Sequence, residues 1–168
     1  MICMGLDLSE EVGWAFGDKA ERPHFGTFTL PGFSDAKRAR TMASVYSAVM
    51  AMVRANNVEG VAIEAPGIGI RRKNKRGITT PTSAHGTQVL TMLSGAAQAG
   101  AINGGAKFLW MPQSNEWRKA VLGNGYPEHP KSAAVEYCNL FLKCAVTNHN
   151  AAEGLCLMVF AHGQARLL

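Results

Sequence analysis

Hydrophobic positions along the chain switch between two periods, and the switches mark the elements. Residues 2–8 (ICMGLDL) form a short apolar run with one acid, Asp7, near its end, the pattern of a buried strand. VGWAFGD at 12–18 and HFGTFTL at 24–30 are rich in aromatic and β-favouring residues and are separated by the polar stretch KAERP. Three strands with tight connections predict an antiparallel meander. From Ser34, a candidate N-cap, to about Ala55 the period lengthens, with Met42, Val45, Tyr46, Val49, Met52 and Val53 at helical spacing. Asn56 and Asn57 end that helix. VEGVAIEAP at 58–66 then reads as a β-branched buried strand that carries Glu64 near its end and stops at Pro66.

The segment GIGIRRKNKRGITTPTS at 67–83 sets basic residues among glycines and polar residues, which predicts an exposed loop or hairpin. A second helix is predicted from about Thr82 to Ile102, with small residues from Ser94 to Ala99 that allow close packing on a sheet. AKFLWMP at 106–112 is the last strand, and helical patterns follow over 113–122, 131–144 and 149–165, with GNGYPEHP as a turn between the first two. The order β-β-β-α-β-α-β-α-α-α predicts an α/β fold in one domain spanning residues 1–168: a mixed five-stranded sheet, its later strands parallel to the first, with helices on both faces.

A chain of 168 residues, 47% hydrophobic and 17% charged, buries an adequate core without disulfides or metal staples. Charge changes the picture more. The net value of +5 comes entirely from Arg71, Arg72, Lys73, Lys75 and Arg76; without them acids and bases balance. A patch so localised suits a polyanion. The four cysteines form no CxxC pair and no zinc or disulfide framework, and are expected as reduced core thiols. The N-terminus lacks a basic start and a cleavage site, and no stretch approaches the roughly 18 apolar residues that span a bilayer. A cytoplasmic protein with no membrane partner is the expectation.

Acids are scarce, so their placement is informative. Asp7 and Glu64 each end an apolar strand, where an unpaired carboxylate is costly to bury. If the two strand ends are neighbours, a divalent cation relieves their repulsion, and oxygen ligands favour Mg²⁺ or Mn²⁺. A turn capped by Asp7 through Ser9, with Glu64 paired to a lysine, accounts for the same residues without metal. Asn150 and Glu153 are three apart and share a face of the last helix, bringing a third carboxylate within reach; equally, Asn148 or Asn150 serves as an N-cap and Glu153 as a first-turn acid.

Taken together, GLDLS followed by a GWA strand, IEAP at the fourth strand, the lysine-led helix PKSAAVEYCNLFL and the terminal NAAEGLCLM resemble the RuvC-type Holliday junction resolvases, phage-like members included, of the ribonuclease H-like superfamily. The resemblance runs from about residue 2 to 162 and rests on the order and spacing of short motifs. It implies a ribonuclease H-like fold and a homodimeric, metal-dependent endonuclease for four-way or other branched DNA, acting in a bacterial or phage-infected cytoplasm. It further implies two Mg²⁺ ions (or Mn²⁺) per site, bound by Asp7, Glu64 and Glu153 with Asn150. Lys131 matches the family's active-site lysine, and Arg71, Arg72, Lys73, Lys75, Arg76, Arg118 and Lys119 are the expected DNA contacts. Trp117, beside the last two, reads either as part of that DNA edge or as core.

One departure stands out. Asn150 takes a position that the family fills with Asp or His, and phage-like relatives carry an acid just upstream, where this chain has Asn148. Two readings stay open: natural divergence, with His149 or Asn150 completing the site, or an Asp-to-Asn change at Asn148 that disables cleavage. A binding protein with an impaired metal site and an RNA-processing nuclease on the same scaffold are the alternatives.

Overall fold

The computed structural model describes residues 1–19, 21–67, 71–73, 79–81 and 84–168. Strand β1 (Cys3–Asp7) is the middle of the sheet, as its fully buried Cys3, Met4 and Leu6 require. On one side it continues antiparallel into β2 (Glu11–Gly17) and β3 (His24–Thr29). On the other it pairs parallel with β4 (Gly60–Ile63), after the crossover helix α1 (Asp35–Ala55). Asn57, in the left-handed region at φ 50°, ends that crossover. A separate two-stranded hairpin, β5 (Arg71–Lys73) with β6 (Thr79–Pro81), occupies the basic segment. Helix α2 (Ala84–Gly104) leads to β7 (Phe108–Trp110), which pairs parallel with β4 and completes the order β3-β2-β1-β4-β7.

Alternation along the strands sorts side chains to two cores. Met4, Leu6, Val61 and Ile63 face α1 and α2, against Val45, Val49 and Leu93. Each such buried aliphatic side chain contributes roughly 1.5–3 kcal/mol. Cys3, Ala15 and Ala62 face the opposite layer of α3 (Ser114–Leu122), α4 (Pro130–Phe141) and α5 (His149–Gln164), against Trp117, Leu155 and Leu157. All four cysteines are buried and unbridged, and burial pushes the Cys3 thiol up to about 11. Among the described residues no helix is long and apolar enough to cross a membrane.

Helix α5 lies directly on the backbone of β1 and β2. A Cβ on Gly5 would meet the Gly154 carbonyl and the Met158 amide, and one on Gly13 would meet the Asn150 carbonyl. Only glycine permits this approach. It explains why α5 is buried nearly all round from Ala151 to Met158.

One boundary differs from expectation. The helical pattern of 131–144 stops at Phe141, and Lys143 turns left-handed at φ 54°. The Asn139 side chain binds both backbone groups of Val146, at 3.0 Å to its carbonyl and 2.9 Å to its amide. That clamp folds the chain back, so that Cys144 and Val146 enter the core.

Candidate active site

Strand parity places the acids. Asp7 is two residues beyond Gly5, and Glu64 two beyond Ala62, so both point to the α5 face. The parallel register pairs Leu6 with Ile63, and the Glu64 amide still donates to the Leu6 carbonyl at 3.1 Å; the two carboxylates therefore leave adjacent strands at the same end. Glu153, 4% exposed, comes down from α5 onto that end. These three acids, Arg118, Lys131 and Asn150 help line one cleft of about 740 Å³.

Each carboxylate is treated differently. Glu64 accepts from the Trp117 indole N–H at 2.8 Å and from the Ser114 hydroxyl. Glu153 pairs with Arg118 at 3.1 Å, and that guanidinium also lies 5.0 Å over the Trp117 ring, with its Nε buried and without an acceptor among the described residues. The Asp7 carboxylate has no hydrogen-bond partner among the described residues. Burial raises its pKa well above the ordinary value, and Glu153 and then Glu64 add to the rise, against Lys131 and Arg118. Burial and then Glu64 likewise raise Glu153, opposed by Arg118 and Lys131.

Three carboxylates with two partly compensating cations, Arg118 and Lys131, are oxygen donors of the kind a hard divalent cation takes. Among the described residues no three acid, His or Cys groups already converge on one point. The donor chemistry suits such an ion, while Glu64 and Glu153 are turned to protein donors.

No family model and no curated protein matches the chain. Solved structures do. A Thermus thermophilus RuvC structure superposes with a TM-score of 0.73 at 17% identity, covering 99% of this chain and 96% of that one. T. thermophilus RuvC in complex with Holliday junction substrate superposes at 0.68 and 14% identity, again over 99% and 96%. The chain has the RuvC fold. The mixed sheet with helices on both faces is thus of the ribonuclease H-like type that the sequence predicts.

Within that RuvC fold, the structure gathers Asp7, Glu64, Glu153, Lys131, Arg118 and Asn150 into the cleft. The metal-free readings of Asp7 and Glu64 are not what the described residues show: the Ser9 hydroxyl donates to the Glu11 carbonyl at 2.6 Å, and Glu64 pairs with no lysine among them. On α5 the expected N-cap is present at Asn148, whereas Glu153 lies beyond the first turn. Asn148 is not brought in. It is the N-cap of α5, its Oδ1 accepting from the Asn150 and Ala151 amides at 2.8 and 3.1 Å, and its Nδ2 turns to Glu11 at 3.0 Å. An Asp at 148 would set two carboxylates against each other, which gives the Asn a reason of its own. His149 is exposed at the start of α5. Lys119 is exposed on α3, and Trp117 is core rather than DNA edge. Arg71, Arg72 and Lys73 run along β5, whereas Lys75 and Arg76 lie outside the described residues.

Four participants escape the sequence reading. Ser114 was legible in principle, since α3 begins just after β7, the neighbour of β4. The hold of Trp117 on Glu64 and the place of Glu11 against α5 depend on contacts between distant segments. Tyr126, 81% exposed, stands at the cleft rim with its hydroxyl accepting from Asn115 at 3.1 Å.

Proposed function

We propose that this protein is a metal-dependent endonuclease that resolves four-way junctions or other branched DNA by hydrolysing phosphodiesters. The observation that carries the reading is the cleft itself, which Asp7, Glu64 and Glu153 line in a RuvC fold with too little positive charge to balance them. Asp7, Glu64 and Glu153 would hold Mg²⁺, or Mn²⁺, with Asn150 contributing an oxygen. Two such ions, when bound, supply an activated water for in-line attack and charge stabilisation for the leaving 3′ oxygen.

The chain's own residues do the rest. Ser114 and Trp117 orient Glu64, and Arg118 does the same for Glu153. Lys131, exposed at the start of α4 and facing the acids, offsets charge developing on the phosphate. The basic hairpin follows the Glu64 strand and grips flanking phosphates, where arginine favours bidentate contacts. A four-way junction has two-fold symmetry, so a C2 homodimer brings two clefts for paired nicks.

A binding-only role is the second reading, favoured by the neutral Asn150 and by carboxylates that, among the described residues, do not already converge. Nicking of a labelled four-way junction with Mg²⁺ or Mn²⁺ decides between them. Paired nicks abolished by Asp7→Asn support the nuclease; tight junction binding without nicks in either metal supports the binding role. Stronger competition by structured RNA than by junction or duplex DNA would redirect the substrate assignment.

A further inference from the structure

Glu11 is not a cleft acid, yet both asparagines of the α5 terminus are bonded to it. Strand parity again sets its direction: Glu11 is two residues before Gly13 and four before Ala15, on the face that α5 covers. Its Oε2 accepts from Asn148 Nδ2 at 3.0 Å and from Asn150 Nδ2 at 3.1 Å, while its Oε1 accepts from the Thr27 hydroxyl at 3.1 Å. Asn150 Nδ2 also donates to the Glu11 backbone carbonyl at 2.9 Å. A carboxylate and a carbonyl only accept, so the nitrogen end of the Asn150 amide must face Glu11. The opposite end of that planar group, Oδ1, has no donor among the described residues, and Asn150 is part of the cleft wall beside Asp7 and Glu153.

We infer that Glu11 is a positioning residue: it holds both amide hydrogens of Asn150 and so presents Asn150 Oδ1 to the cleft as a neutral oxygen ligand for a divalent cation. The inference rests on the metal-dependent reading above. It also accounts for the pairing of residue types. With Glu11 on β2, an Asp at 150 would face a carboxylate and a carbonyl with no hydrogen to share, whereas Asn satisfies both and still offers one oxygen inward. The site then carries three carboxylates rather than four.

A double-mutant cycle on Mn²⁺ affinity, measured by titration calorimetry of the metal alone into the full chain, tests this. Glu11→Ala and Asn150→Ala should each weaken Mn²⁺ binding by about tenfold, and the double variant should be no weaker than Asn150→Ala. Glu11→Gln keeps an acceptor oxygen and should restore most of the affinity, which separates positioning from loss of fold, with thermal unfolding of each variant as the check. In junction nicking, Glu11→Ala should lower kcat with little change in KM. Multiplicative losses in the double variant, or a Glu11→Ala chain that unfolds normally and binds Mn²⁺ as the parent does, would overturn the inference. A coupled cycle in a chain that nicks no junction leaves the positioning role standing and rejects the nuclease reading alone.

Discussion

Asp7 is the residue on which stability and function pull apart. Its carboxyl is buried beside Glu153 and Glu64, so the folded chain binds that proton more tightly than the unfolded chain does. Above the ordinary pKa of 3.8 the native state holds more protons, and its stability falls as pH rises towards the raised folded value. The metal-free protein should therefore lose stability through that window, and Asp7→Asn should raise its melting temperature at neutral pH. Mg²⁺ should raise the melting temperature of the parent and not of the variant, as calorimetry would show. Glu11 works in the opposite direction. Hydrogen bonds from Asn148, Thr27 and Asn150 lower its pKa, so its contribution is present above the ordinary 4.5 and is lost as pH falls through the lowered value. At Glu64, Trp117→Phe removes a charge-assisted hydrogen bond and should cost about 2 kcal/mol in urea unfolding.

Among the elements, α5 decides the site. Its Asn150 and Glu153 reach the strand ends only because Gly5 and Gly13 let helix backbone lie on sheet backbone. Gly13→Ala should cost at least about 2 kcal/mol by denaturant unfolding and displace the helix start that holds Glu11. The same packing shows what can be read from sequence. Asp7 and Glu64 were legible because a period of two fixes the face of each strand end, and the crossover through α1 returns β4 parallel to β1. Glu153 was legible as a face-sharing partner of Asn150. Glu11 was not, because its role arises from a glycine-sized gap between β2 and α5, which no periodicity encodes. The end of α4 was missed for a similar reason: the Asn139 clamp on Val146 is made across a turn, after the helical pattern has already been written.

For the whole molecule, the position of the charge matters more than its sum. The +5 excess resides in residues 71–76, and Arg71, Arg72 and Lys73 of that run lie on a hairpin whose two strands form a sheet of their own, apart from the five-stranded one. Replacing the five bases by Gln should leave the melting temperature nearly unchanged. Junction binding should weaken, and the slope of log K against log salt should flatten by about 0.9 for each phosphate that is no longer neutralised, as read by fluorescence anisotropy. On the proposed reading the acidic cleft and the basic segment divide the work: the basic segment would hold the backbone of the DNA, and Asp7, Glu64 and Glu153 would act on it. The most direct measurement is strand nicking of a labelled four-way junction with Mg²⁺, by the parent chain and by Asp7→Asn. Symmetric nicks by the parent, with at least about a hundredfold slower nicking by the variant at unchanged junction affinity, are the predicted result. Nicking that survives in Asp7→Asn, or a parent chain that binds the junction and leaves it intact in both Mg²⁺ and Mn²⁺, would contradict it.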